Sequence, residues 1–158
     1  MLTMAEFLIK LSTLLCLLPF TACGSDRVTH VDGALVPEID QWMQDCRQNL
    51  PAYRCTTSKV DEIVLVDGLS GDRIGECEVV SEWSGVRYVE TRTIRIDRNV
   101  ALGSYTMRAL IAHELFHCEF NIYNHTEKGL MAPRSLHEWE LKARWVELIT
   151  EAYELVKK

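Results

Sequence analysis

The stretch "HELFHC" at residues 113–118 sets two imidazoles four residues apart, a carboxylate directly after the first and a thiol against the second. On a helix, His113 and His117 project from one face a turn apart, where they can share a metal ion. Glu114 then sits about 100° round the helix from His113, too far to be a ligand but able to reach a water on that metal. Zn2+ suits neutral imidazoles and brings the pKa of a bound water to about 7. A carboxylate beside it can take that water's proton as it attacks a carbonyl and return it to a leaving amine. The chemistry on offer is metal-assisted hydrolysis, with His113 and His117 as zinc ligands and Glu114 as general base. Cys118 points about 100° away from His117 and cannot easily join the same metal. A disulfide that braces this helix, or a free thiol, is what remains for it.

Two histidines hold a catalytic zinc too weakly, so a third protein ligand is required. Downstream candidates are His125 and Glu127 in the loop that follows, and Glu138 and Glu140 at the start of the last apolar stretch. His30 and His137 read as surface histidines, and solvated charge is the usual state of acids on loops and helix faces.

Several elements must position these groups. "PEIDQWMQDCRQNL" puts Ile39, Trp42, Met43, Cys46 and Leu50 on one helical stripe, with Pro37 suited to a first turn and Pro51 ending it. "KVDEIVLVDG" reads as a buried strand closed by Asp-Gly, followed by strands in "IGECEVVSEW" and "VRYVETRTIRID" joined at Ser84-Gly85. Ile94 and Ile96 share one face of the latter, Thr93, Arg95 and Asp97 the other, which predicts one covered and one wet face. "YTMRALIAHELFHCEFN" has helical spacing and no breaker, "IYNHTEKGLMAPRS" is a loop, and "LHEWELKARWVELITEAYELVKK" is a long amphipathic helix through Leu141, Trp145, Leu148, Ala152 and Leu155. The expected fold is α+β: a small mixed sheet of about three or more strands against an N-terminal helix, the "HELFHC" helix and a long C-terminal helix.

The chain has 158 residues, 47% hydrophobic and 25% charged, which predicts one soluble globular domain. Its 17 basic and 23 acidic residues give a net charge of −6 with no dense basic cluster, so nucleic acid is not an expected partner. Lys10, the apolar run "LSTLLCLLPF" and the small residues of "TAC" have the layout of an export signal, too short for a comfortable membrane span. "FTAC" at residues 20–23 resembles the lipobox of bacterial lipoproteins, which implies cleavage before Cys23, its lipidation, and anchoring to a membrane. Gly24 and Ser25 after it, rather than Asp, favour the outer membrane by the same resemblance. A plain signal peptide with an incidental Cys23 is the alternative. The expected organisation is a signal peptide at 1–22, a tether at 23–36 and the domain at 37–158, exported and acting as a monomer.

Export makes disulfides persistent. Outside Cys16 and Cys23, four cysteines allow three pairings. Cys46 with Cys55 would close a short loop at a helix end, and Cys77 with Cys118 would pin a strand to the "HELFHC" helix. The crossed pairings and buried free thiols stay open.

From about residue 91 to residue 133 the chain resembles the metzincin clan of zinc endopeptidases, whose zincin-like domain carries H-E-x-x-H on a helix, then a turn, a third His ligand and a tight turn with a Met beneath the metal. In "AHELFHCEFNIYNHTEKGLMAP" the matching residues are His113 and His117 as ligands, Glu114 as base, His125 as third ligand and Met131 as the Met of the turn. "TRTIRID" resembles the clan's edge strand, which pairs with an extended peptide. The clan's motif has Gly where this chain has Phe120 and His where it has Tyr123, so His125 must arrive through a longer turn. Asn121 and Asn124 can each supply the left-handed residue such a turn needs. Tyr123 can donate to a developing oxyanion or serve in packing. The resemblance implies a zinc metallopeptidase with a peptide or protein substrate. The competing reading is a non-catalytic exported lipoprotein, a binding or surface-exclusion module with a structural or vestigial metal site.

Overall fold

The computed structural model describes residues 30–50, 55–133 and 136–157. Cys23 and the export signal lie outside them. In chain order come β1 (His30–Val31), α1 (Val36–Asn49), β2 (Glu62–Val66), β3 (Gly75–Trp83), β4 (Tyr88–Asp97), α2 (Tyr105–Phe120) and α3 (Glu138–Val156). The fold is α+β, as its alternating and helical periodicities predict. β1 falls inside the segment read as a tether: two residues are too few to carry a period-2 signal, and only the pairing partner reveals the strand.

Pro37 stands in the first turn of α1, where a missing N–H leaves no helical bond unmade. The stripe Ile39, Trp42, Met43, Cys46 and Leu50 is buried, as are Leu141, Trp145, Leu148 and Ala152 of α3. Trp42 stacks on Tyr153 of α3 and meets Phe116 of α2 edge-on, so one aromatic cluster joins the three helices.

The sheet order is β1-β2-β4-β3, with β1, β2 and β4 parallel and β3 antiparallel to β4. This corrects the placing of "TRTIRID" at an edge. It belongs to β4, which is paired on both sides, and the edge strand beside α2 is β3. Alternation along one strand records which face is covered, not which neighbour stands alongside, and β3 and β4 carry similar alternation. The two-faced reading of β4 holds: Ile94 and Ile96 are fully buried under α2, whereas the opposite face carries Arg95 in ion pairs with Glu76 (3.1 Å) and Glu78 (3.5 Å).

The disulfides are Cys46–Cys55 and Cys77–Cys118. The second fastens edge strand β3 to α2 one residue beyond His117. Both fit an oxidising, exported setting, and no described helix is long and apolar enough to cross a membrane. Cys77 and Cys118 lie 41 residues apart. Closing a loop of that length restricts the unfolded chain enough to contribute about 4 kcal/mol. The Cys77→Ser/Cys118→Ser double variant should lose about that much stability in urea titration. A loss below about 1 kcal/mol would mean that packing alone holds the strand to the helix.

Candidate metal centre

α2 is fixed at both ends. At its start the Ser104 side chain accepts from the Met107 N–H (3.0 Å), and Glu138, the first residue of α3, accepts from the N–H groups of Tyr105 (2.7 Å) and Thr106 (2.8 Å). A carboxylate there satisfies donors the helix leaves open and meets the positive end of its dipole. The Tyr105 and Thr106 bonds hold the Glu138 carboxyl below its ordinary pKa. At the other end Asn121 adopts the left-handed conformation (φ 58°, ψ 33°), the only described non-glycine residue with positive φ. Asparagine tolerates this region better than most side chains. Arg92, buried on the covered face of β4, donates to the Cys118 carbonyl, to Asn121 Oδ1 (2.6 Å) and to Glu90 (2.8 Å). It thereby ties the helix end and the turn after it to the sheet.

The turn at Asn121 points the Ile122 carbonyl at His117 Nδ1, which donates to it. The loop then returns so that His125 faces both helix histidines, and closes on itself where the Thr126 N–H donates to the Met131 carbonyl (3.0 Å). Gly129, at φ 86°, permits this tight reversal. Next to it the Leu130 carbonyl accepts from His113 Nδ1 (2.8 Å), and Met131 is buried in the core.

Both helix histidines thus spend their Nδ1 proton on a carbonyl, which can only accept. In the neutral ring Nε2 is then a bare lone pair. His113 Nε2 lies 2.9 Å from His117 Nε2 and 3.2 Å from His125 Nε2. The three rings form one group whose ligand atoms all lie within 4.8 Å of one another. Unprotonated nitrogens facing each other repel unless a cation sits among them. Nitrogens about 2.05 Å from a tetrahedral zinc would be about 3.3 Å apart, so the two spacings from His113 Nε2 are close to those such an ion sets. Burial lowers the pKa of His113 to about 4 and lowers that of His117, keeping both rings neutral and free to ligate near neutral pH.

Glu114 is buried beside this group, against edge strand β3. The Cys77 N–H bonds its carboxylate, and a Cβ on Gly75 would come within 2.9 Å of its Oε1 and 2.7 Å of Leu110 Cδ1. A side chain at position 75 would displace Glu114 or Leu110, so glycine there keeps β3 and the base in close contact. Burial, reinforced by nearby Glu76, pushes the Glu114 carboxyl up to about 8. A dication on the adjacent histidines would favour its ionised form. His113, Glu114, His117, Tyr123 and His125 line one open cleft of ≈ 440 Å³, walled by the start of β3 on one side and the loop through Leu130 and Pro133 on the other.

Searches against protein-family models, curated proteins and solved structures found no match for this chain.

The structure brings His113, His117 and His125 together and leaves the rival ligands elsewhere. Glu138 caps the far end of α2, Glu140 pairs with Arg144 (3.1 Å), and Glu127, His30 and His137 are exposed. Tyr123 is exposed at the cleft, its ring parallel to that of His117 and its hydroxyl 3.4 Å from Asn121 Oδ1. Gly75 and Arg92 were not singled out from the sequence, although both leave a signal there. A glycine inside a strand pattern marks a close backbone approach. Arg92 falls in phase with Ile94 and Ile96, on the covered face, where an arginine must find partners.

Proposed function

We propose that this chain is a zinc-dependent endopeptidase of metzincin-like kind, exported and held to the outer membrane through a lipid on Cys23. The observation that carries the reading is the convergence of three imidazoles, two of them with bare Nε2 atoms, a buried carboxylate and an open antiparallel edge strand on one cleft. His113, His117 and His125 would hold the ion and leave a fourth position facing the cleft. Zinc bound there would supply a Lewis acid and a water of lowered pKa.

The chain's own groups do the rest. An extended peptide adds to the outer edge of β3, which has no further strand beyond it among the described residues, and this lays a scissile bond across the cleft. Glu114 accepts the proton of the attacking water and gives it to the leaving nitrogen. Tyr123, at the rim, donates to the carbonyl oxygen as it gains charge. The Leu130 carbonyl sets the orientation of His113, and an oriented ligand is a better one.

Purified protein incubated with a denatured protein or a peptide library is expected to cleave internal bonds, to stop when a chelator removes the metal, and to recover when zinc returns. Zinc binding without cleavage across a broad library would favour the non-catalytic binding module.

A further inference from the structure

β3 and β4 run on past the helix layer. On the covered face the pairs Cys77/Ile94 and Val79/Arg92 are followed in phase by Ser81/Glu90 and Trp83/Tyr88. α2 stops at Phe120, and every residue from 81 to 91 is exposed. The hairpin is nevertheless ordered to its end: the Ser84 N–H donates to the Arg87 carbonyl (2.9 Å), and Gly85 takes φ 89°. At that end Trp83 is 59%, Val86 86% and Tyr88 71% exposed, with the two rings meeting edge-on at 5.2 Å. Val80 and Val89 are exposed on the opposite face, so apolar side chains stand on both faces of the hairpin near its tip. A flat protein partner would cover one face of such a tip. A headgroup layer surrounds it, and Trp and Tyr are the side chains that favour this layer.

The direction of the strands ties the tip to the proposed anchor. β1, β2 and β4 are parallel, with His30 level with Glu62 and Glu62 level with Thr93. The N-terminal end of β1 at His30 therefore faces the end of the sheet where Tyr88 and the tip lie. From Thr93 to Tyr88 is five residues, about 17 Å of strand. From His30 back to Cys23 is seven residues, a reach of up to about 25 Å. A lipid on Cys23 and the hairpin tip can meet the same surface at once.

We propose that the tip formed by Trp83, Val86 and Tyr88 is a second membrane contact, seated in the headgroup region of a zwitterionic bilayer. Its geometry rests on the lipid-anchor reading of Cys23. Arg87 is the only basic residue between positions 81 and 91, and Glu82 and Glu90 stand near it, so anionic lipid is not what draws the tip in. With the tip seated, six residues of β3 hold the cleft at Cys77 about 20 Å from the surface, at a fixed height for extended substrates.

The test uses the mature lipidated chain, carrying Trp139→Phe to remove the other exposed tryptophan, in phosphatidylcholine/phosphatidylethanolamine vesicles with brominated acyl chains. Trp83 emission should shift to the blue and be quenched, with quenching reduced at least about threefold by Val86→Asp/Tyr88→Ser and unchanged by salt up to about 0.5 M. The full chain with Cys23→Ser should still co-sediment with the same vesicles, at least about tenfold more weakly once Trp83→Ser/Val86→Asp/Tyr88→Ser is added. Trp83 left unquenched while mass analysis finds Cys23 acylated overturns the tip contact and leaves the anchor standing. Tip-dependent vesicle binding with Cys23 unacylated keeps the contact and removes the anchor. Tip-dependent dimers in sedimentation velocity, without vesicle binding, give this surface to a second copy and overturn the proposal.

Discussion

Changing His125 to alanine is expected to lower zinc affinity by more than about 100-fold, the upper range for loss of a group that merely orients a ligand. The helix pair His113 and His117 would remain, with their Nδ1 protons still on the Leu130 and Ile122 carbonyls. Two imidazoles leave the ion half solvated, and a catalytic zinc normally has three protein ligands. Glu138→Gln and Glu140→Gln should leave the affinity nearly unchanged, since Glu138 is engaged at the N-terminus of α2 and Glu140 with Arg144. Competition with a chromophoric chelator reads all three variants. If His125→Ala keeps the metal and Glu138→Gln loses it, the ligand set is the wrong one and the metzincin-like reading goes with it.

Glu114→Gln is expected to keep the zinc and to lose about 10²- to 10⁴-fold in peptide hydrolysis, the usual contribution of a positioned general base. The amide has nearly the same volume, so the close approach of Gly75 survives, and its oxygen can still accept from the Cys77 N–H. What it cannot do is take a proton. Steady-state cleavage of one defined peptide, paired with metal content of the same sample, separates a lost base from a lost ion. Unchanged turnover would take Glu114 out of the reaction.

α1 and α3 were legible because each carries a long apolar stripe, and α2 because its run of apolar residues at helical spacing has no breaker. The buried sets of α1 and α3 match the periodicity nearly residue for residue, and the Asn121 turn follows from what asparagine tolerates. The disulfide pairing was favoured but left open by the sequence, and the structure decides it. Cys118 points away from the histidine group, which leaves it free to meet Cys77 on the strand packed against the helix. What the sequence hid are relations between distant segments. β3 and β4 have similar alternation, so nothing local says which has a neighbour on both sides. His30–Val31 is a strand only because Asp61 and Ile63 are there to bond it. Glu138, weighed as a ligand for its chemistry, serves instead as a cap on α2, and Glu119 is buried to accept from Ser58 (2.9 Å) and the Lys59 N–H (2.7 Å). A carboxylate's partner 30 or 60 positions away leaves no mark on its own neighbours in the chain.

The central claim is that the three histidines hold one catalytic zinc. Elemental analysis of the purified, folded chain, with X-ray absorption at the zinc edge, tests it most directly. The account predicts about one zinc per chain, in a shell of three imidazole nitrogens at about 2.0–2.1 Å and one oxygen. A natively folded chain that takes up no zinc when equilibrated with it would contradict the account.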